Sequence, residues 1–453
     1  MVKKIVLVGF MGAGKTSLAR ALASRLKYEI FEVDFEIEKI SGKSISQLFA
    51  EDGEDHFRSL ESQVLERALA TPTSRIISPG GGCIEREKSR EMLRESECDV
   101  VFLRTGWKTL CERLRSSTDR PLWQNEEEAF SRFVQRQALY EEVAELIIDT
   151  DSRSVDELSE FLSPLFEIQT LPRKRPSFPP GRQLCFVVGT PIAHSLSPLI
   201  HEHALRETGL KDRFCYAALR LEPEQAPDLV PLLKSGMVKG LSVTLPLKEV
   251  LYRHVEQLDE AARVIGAVNT VFMQDGIIRG SNTDWVGILQ ALKTGGDLAH
   301  RPLVAILGAG GTARAAAFVA QKLEARLEIF NRTEKRAKAL AQEFGGVAYP
   351  LEAFDSARYD IVIQTTSLGM GSSMESPVSF PVARSGAIAL DLVYSPRMTA
   401  FLSAAQHAGA RVVYGDEVLL QQAVMQFELF FGARAPVEKM RVALQERMKV
   451  RLS

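Results

Sequence analysis

Cysteine is scarce and scattered: Cys83, Cys98, Cys111, Cys185 and Cys215 are all there are in 453 residues, with no C-x-x-C pair. That spacing excludes a disulfide framework and a cysteine-built zinc site, and it fits a reducing, cytoplasmic setting. Long apolar runs are missing too. Nothing approaches the roughly 20 consecutive apolar residues that span a bilayer, so no membrane partner is expected. The opening Met1-Val2-Lys3-Lys4-Ile5-Val6-Leu7-Val8 has the charge order of a signal peptide. Its apolar run stops at a glycine loop, however, and no small-residue cleavage site follows. An excess of one charge is also lacking: 56 basic against 58 acidic residues leave a net −2. Nucleic acid and acidic membrane surfaces therefore have no global electrostatic claim on the chain. His194 and His201, two of only seven histidines, stand seven apart without acidic or cysteine ligands on a shared helix face, which argues against a metal site there.

What is present is an ordinary globular mixture, 45% hydrophobic and 25% charged, in a length that suggests about three domains. Short β-branched runs alternate with helical patterns, which predicts an α/β fold with parallel sheets. Strands are expected at residues 5–8, 29–33, 75–78 and 100–103, and again at 303–307, 326–330, 361–364, 388–392 and 411–414. Leu18, Ala21, Leu22 and Leu26 recur at helical spacing, so residues 17–26 read as an amphipathic helix. Between the two series lies Leu171-Pro172-Arg173-Lys174-Arg175-Pro176-Ser177-Phe178-Pro179-Pro180-Gly181. Its four prolines and three basic residues suit an extended, solvated linker over 167–183. The expected domains are 1–166, then 184–285 completed by 415–453, with 286–414 inserted between them.

Gly9-Phe10-Met11-Gly12-Ala13-Gly14-Lys15-Thr16 matches G-x-x-x-x-G-K-[ST] between a predicted strand and a predicted helix. In such a P-loop the backbone amides of Gly12, Ala13, Gly14, Lys15, Thr16 and Ser17 converge on phosphate oxygens at a helix N-terminus. Lys15 would reach the β- and γ-phosphates of ATP, and the Thr16 hydroxyl would ligate Mg²⁺. Glu32 and Asp34 close the second predicted strand, where a period of two puts them on one face. One would hold a metal-bound water and the other would take the proton of an acceptor hydroxyl. Arg58, Arg120 and Arg136 could each grip a carboxylate or offset phosphoryl charge; taken singly, each is more often a surface residue.

Together these residues resemble shikimate kinase over about residues 1–165. The motifs fall in order: the P-loop, Phe31-Glu32-Val33-Asp34, Phe57-Arg58, Gly80-Gly81-Gly82, Arg113, Arg120-Pro121-Leu122, and Arg136 with Tyr140. The resemblance implies that Asp34, Arg58, Gly80, Gly81, Gly82 and Arg136 bind shikimate, the arginines taking its carboxylate. It also implies that Arg120 closes over the phosphates and that Arg113 and Arg153 lie beside the adenine. Glu32 departs from the family's usual Asp. The extra methylene bears on how Mg²⁺ is held through water.

The second glycine turn, Gly308-Ala309-Gly310-Gly311-Thr312-Ala313, follows the apolar run 303–307 and opens an alanine-rich helix, as in G-x-G-x-x-A dinucleotide folds. The next predicted strand ends at Asn331-Arg332-Thr333, a neutral and cationic tip suited to a 2′-phosphate, so NADP is expected; Glu328, inside the strand, is the acidic rival. Upstream, Lys248 and Asp284 are candidates for a proton-donating pair beside a ketone being reduced, although a surface lysine and a helix-capping aspartate would read the same way on spacing alone.

Residues 184 to about 450 resemble shikimate dehydrogenase. The motifs are Ser195-Leu196-Ser197, Thr244 to Lys248, Asn269, Asn282-Thr283-Asp284, Asn331-Arg332-Thr333, Thr365-Thr366-Ser367, Asp391-Leu392-Val393-Tyr394-Ser395-Pro396 and Gln422. The resemblance implies a substrate lobe around a Rossmann lobe, with Lys248 and Asp284 as the catalytic pair. Ser195, Ser197, Thr244, Asn269, Tyr394 and Gln422 would contact substrate; Thr366 and Gly415 would join the glycine turn around NADP(H). Ser242, Glu202 and Gln364 depart from the family's usual asparagines, which leaves acceptance of quinate open. The two resemblances imply consecutive catalysis: 3-dehydroshikimate reduced with NADPH, then shikimate phosphorylated from MgATP. The alternative is an active dehydrogenase carrying a catalytically dead, nucleotide-sensing N-terminal domain. Nothing in the sequence sets an oligomeric state.

Overall fold

Strands with both faces covered read as continuous apolar runs, and helices pack back onto them in a right-handed sense. A computed structural model describes residues 3–115, 126–151, 153–168, 183–192, 195–371 and 373–452. Its contacts divide the chain into two compact units. One is Met1–Pro198 with Gly209–Leu221, and the other is Leu199–Thr208 with Glu222–Ser453.

In the first unit β1 (Lys4–Val8), β2 (Glu29–Glu32), β3 (Arg75–Ser78), β4 (Asp99–Arg104) and β5 (Leu146–Asp149) run parallel in the order β2-β3-β1-β4-β5. Central β1 buries Ile5, Val6 and Leu7 completely. Most of the expected linker, residues 169–182, lies outside the described residues. Two later strands, β6 (Gln183–Gly189) and β7 (Phe214–Arg220), belong to this unit as well. They pair with each other in parallel, and β7 runs antiparallel to β5 with Leu146 opposite Leu219 and Ile147 opposite Ala218. An edge strand presents unpaired amides and carbonyls, and β7 satisfies those of β5.

The helix after β1 spans Lys15–Leu26 and buries Leu18, Ala19, Leu22, Ala23 and Leu26. One expectation fails at β2. The strand stops at Glu32, and Asp34 lies in the first turn of a helix, Val33–Ser41, so the period-two argument does not apply to it. Asp34 and Glu36 sit where a helix dipole favours negative charge, and this pulls the boundary back by one residue.

In the second unit β8 (Val238–Val243), β9 (Gln257–Leu258), β10 (Thr270–Gln274) and β11 (Ile277–Ser281) form a mixed sheet in which β10 is antiparallel to both β8 and β11. A six-stranded parallel sheet follows, of β12 (Leu303–Leu307), β13 (Arg326–Phe330), β14 (Val347–Tyr349), β15 (Ile361–Gln364), β16 (Ile388–Asp391) and β17 (Arg411–Val413). Its order, β14-β13-β12-β15-β16-β17, is that of a dinucleotide-binding doubly wound fold, with the switch point between β12 and β15. The helix Gly311–Lys322 buries Ala313, Ala316 and Ala317 against this sheet. Helices Asp284–Thr294 and Gly415–Phe431 cross closely at Gly287, where a Cβ would stand 2.7 Å from the Val418 carbonyl oxygen. Among the described residues no helix is long and apolar enough to cross a membrane.

Candidate functional site

Two cavities meet at Lys15 and Thr16 in the first unit. One, of about 420 Å³, is lined by Gly12, Ala13, Gly14, Ser17, Arg113, Thr150 and Arg153. Gly12 and Gly14 adopt positive φ, the backbone state that lets successive amides face a common point. Lys15 Nζ donates to the carbonyls of Gly9 (2.8 Å) and Phe10 (3.3 Å), at the mouth of this cradle. A helix N-terminus, a glycine loop and a lysine suit a nucleotide's phosphates. Arg113 donates to Gly12 O and Thr150 O. Arg153 lines the cavity, but its guanidinium donates to the carbonyls of Lys211 (2.9 Å) and Phe214 and lies over the Phe161 ring. Arg120 lies outside the described residues.

The other cavity, of about 580 Å³, is lined by Glu32, Asp34, Arg58, Glu61, Gly80, Gly81, Gly82 and Arg136. Arg58 is buried and donates to Glu61 at 2.8 Å and Glu54 at 3.0 Å. Arg136, also buried, donates to Glu85 at 2.8 Å and lies over the Phe10 ring. Two of the glycines are there for space: a Cβ on Gly82 would stand 2.2 Å from Arg58, and one on Gly80 would stand 2.5 Å from Glu61 Oε1. Tyr140 secures the segment by donating to Gly81 O. Thr16 and Glu32 both line this cavity, and Glu32 accepts from Arg20 at 2.8 Å. Mg²⁺ usually keeps several waters and takes one or two protein ligands plus phosphates, so this sparse donor set fits it. Among the described residues no group of three or more metal-ligating side chains occurs.

Glu61 escaped the sequence reading. Its only signal was a place three residues after Arg58 on one helical face. Its carboxylate is buried, Oε1 has no hydrogen-bond partner among the described residues, and burial pushes its pKa from 4.5 to about 7 against the pull of Arg58. A raised carboxylate pKa means the folded state holds a proton that the unfolded state has lost between pH 4.5 and about 7. Stability therefore falls as pH rises through that window, by about 3 kcal/mol at full effect. Glu61→Gln removes this loss. Its thermal midpoint relative to the parent should be clearly higher at pH 8 than at pH 5, and an equal offset at both pH values would refute the assignment.

The second unit brings the expected pair together. Lys248 opens a short helix after β8, and Asp284 is the first residue of Asp284–Thr294. Both are buried, with Lys248 Nζ 2.5 Å from Asp284 Oδ2. Asn269 Nδ2 donates to Asp284 Oδ1 at 2.7 Å, to Thr283 Oγ1 at 2.9 Å and to Gln422 Oε1 at 3.2 Å. Lys248 also reaches Thr312 Oγ1 at 3.5 Å, in the first turn of the helix behind the glycine loop. The lysine–aspartate pair and the glycine turn are thus adjacent. Thr244 is partly buried where β8 ends, and Tyr394 is partly buried after β16. Gln426 was not anticipated. It accepts from Ser242 at 2.7 Å and donates to Asn269 O and Thr270 Oγ1, so it locks the strand ends under Asn269.

Ser195 and Ser197 belong to the first unit, where buried Arg104 pairs bidentately with Asp149 (2.8 and 2.7 Å) and donates to Ser195 O at 3.3 Å. His194 is outside the described residues, and His201 packs its buried ring near Phe427 and Phe430.

The turn after β12 has Gly308 at φ 117°, where a Cβ would meet Thr365 Oγ1 at 2.4 Å; Ala309, Gly310 and Gly311 continue it into the helix that buries Ala313. Asn331 donates to Thr333 O, leaving Arg332 exposed at the tip of β13. The rival Glu328 is buried and engaged elsewhere, accepting from Tyr359 at 2.6 Å and Arg358 at 3.0 Å. Gln364 bridges its turn, accepting from Thr366 N and donating to Leu368 O, so the substitution for asparagine keeps the loop closed. Gly415 packs under the carbonyls of Asp391, Leu392 and Val393.

Comparison with known proteins divides the sequence between residues 165 and 187. Residues 11–165 match the shikimate kinase family. Residues 187–271 match the shikimate dehydrogenase substrate binding domain, 291–370 match shikimate / quinate 5-dehydrogenase, and 417–445 match the shikimate 5′-dehydrogenase C-terminal domain. A shikimate dehydrogenase (NADP(+)) of Exiguobacterium sp. is 43% identical over 249 residues, 55% of this chain and 92% of the relative. One from Syntrophobacter fumaroxidans is 39% identical over 278 residues, 59% of this chain and 95% of the relative. The crystal structure of Thermus thermophilus shikimate 5-dehydrogenase in complex with NADP(H) and shikimate superposes with a TM-score of 0.54 at 36% identity, covering 58% of this chain and 99% of that one. With its buried lysine–aspartate pair against a dinucleotide turn, the chain belongs to the shikimate dehydrogenase family and is an enzyme that also carries a shikimate kinase domain in its N-terminal part.

Proposed function

We propose that the C-terminal part reduces 3-dehydroshikimate to shikimate with NADPH, and that the N-terminal part phosphorylates shikimate from MgATP to shikimate 3-phosphate. These would be consecutive steps of chorismate and aromatic amino-acid biosynthesis in the cytoplasm, a setting that the five buried free cysteines suit. The observation that carries the reading is Lys248, whose ammonium lies between Asp284 and Thr312. NADPH, when bound, supplies a hydride. Lys248 supplies the proton that the resulting alkoxide needs, Asp284 holds the lysine in place, and Asn269 orients Asp284. Within the second unit, Thr244, Tyr394 and Gln422 would contact the substrate.

In the kinase half ATP, when bound, would supply the phosphoryl group; Thr16, and Glu32 through a water, would hold the Mg²⁺ that offsets its charge. Asp34 takes the acceptor's proton, Arg58 and Arg136 hold the acceptor's carboxylate, and Arg120 would close over the phosphates. The deciding experiment supplies 3-dehydroshikimate, NADPH and MgATP together and follows NADPH loss and shikimate 3-phosphate. NADPH loss without phosphorylated product would leave only the dehydrogenase standing. The ion pair of Arg20 with Glu32 favours the alternative, a nucleotide sensor without turnover. That alternative requires no ADP release when the intact chain meets shikimate and ATP.

Exposed Arg332 and engaged Glu328 support NADP over NAD. Arg332→Ala should raise KM for NADP by about 10- to 100-fold, the worth of one lost charge-assisted contact, and leave KM for NAD nearly unchanged. Equal effects on the two cofactors would remove Arg332 from the selection.

A further inference from the structure

We propose that Glu85 is a built-in stand-in for the acceptor's carboxylate, and that shikimate must displace it before Arg58 and Arg136 can grip the substrate. The proposal rests on the reading that those arginines bind that carboxylate. Glu85 ends a three-residue 3₁₀ turn, Cys83–Glu85, directly after the glycine run. Its two oxygens bridge the two guanidinium groups: Oε1 is 2.8 Å from Arg136 and Oε2 is 3.2 Å from Arg58. A carboxylate spanning two guanidinium groups is the geometry expected of a bound organic acid. The arginine side chains are 8% and 5% exposed but Glu85 is 33% exposed, so its carboxylate comes from the solvent side, as a ligand's would.

A second carboxylate placed against the same guanidinium edges would meet Glu85 at close range, and two like charges in a half-buried site exclude one another. Arg58 keeps Glu61 and Glu54 as partners whether or not Glu85 stays. Glu85 is therefore the carboxylate that can leave. Tethered on its turn, it acts as an internal competitor at high effective concentration, and its occupancy lowers the apparent affinity for the acceptor.

The test uses the full chain with shikimate and MgATP. Glu85→Ala should lower KM for shikimate by about three- to tenfold with kcat and KM for ATP little changed, since only a competing state is lost. Benzoate, a free carboxylate probe, should inhibit the variant more strongly than the parent, which a merely structural role for Glu85 would not produce. Glu85→Gln, of the same shape, should move both readings the same way and serves if the alanine variant folds poorly. An unchanged or raised KM for shikimate in both variants overturns the proposal. Arg136→Met separates the layers: a raised KM there, with none lowered by Glu85→Ala, overturns only the role of Glu85. An unchanged KM in Arg136→Met overturns the carboxylate pocket and the proposal with it.

Discussion

Lys248→Ala should lower the turnover of 3-dehydroshikimate reduction by roughly 10²–10⁴, the usual contribution of a positioned general acid. Reduction of a ketone leaves negative charge on oxygen, and without a donor the proton has to come from water in a largely buried site. Lys248 is the group proposed for this task. It is buried, charge-paired with Asp284 at 2.5 Å and within 3.5 Å of Thr312, beside the dinucleotide turn. Asp284→Asn should cost less, because the lysine remains while its anchor weakens. Phosphorylation of shikimate, measured on the same preparation, should be unaffected and so reports that the protein is folded. A reduction rate within threefold of the parent in Lys248→Ala would remove this lysine from the chemistry.

Lys15→Ala should give the mirror image. Phosphoryl transfer offers little covalent work to a protein, so most of the acceleration comes from positioning and from charges aimed at the phosphates. Removing one such preorganised charge costs on the order of 10²–10³ in turnover. Lys15 emerges from the loop whose glycines turn the amides inward, and it lines both cavities of the first unit. Formation of shikimate 3-phosphate should therefore collapse while NADPH oxidation continues at the parental rate. Residual kinase turnover near the parental value would favour a binding site that does not depend on this lysine. Loss of both activities together would point to misfolding rather than chemistry.

Much of this could be read before any fold was seen, for identifiable reasons. The P-loop and the glycine turn at Gly308 are local structures whose backbone demands only glycine meets well, so spacing along the chain reveals them. The strands of the parallel sheets are buried on both faces and show as unbroken apolar runs. Expected bounds at 303–307, 326–330 and 361–364 coincide with Leu303–Leu307, Arg326–Phe330 and Ile361–Gln364. Asp34 was misplaced because one strand residue and one helix residue are hard to tell apart at a boundary where the first-turn acids favour the helix.

Other features depend on partners far away in the sequence. Arg153, expected beside a nucleotide base, lines the P-loop cavity, and its guanidinium is held by carbonyls that lie 58 and 61 residues further along. Glu61 and Gln426 do their work because they face a buried arginine and a buried asparagine backbone, and neither carries a motif. The sequence alone determined the groups available here: a P-loop, a glycine turn of the dinucleotide-binding pattern, a lysine and an aspartate, and their order along the chain. Tertiary structure decided which of those groups meet, which charges are already paired, and that Glu85 sits between the two arginines. Hydrogen bonds and ion pairs form in space, and a one-dimensional spacing cannot encode a distance between residues that only folding brings together.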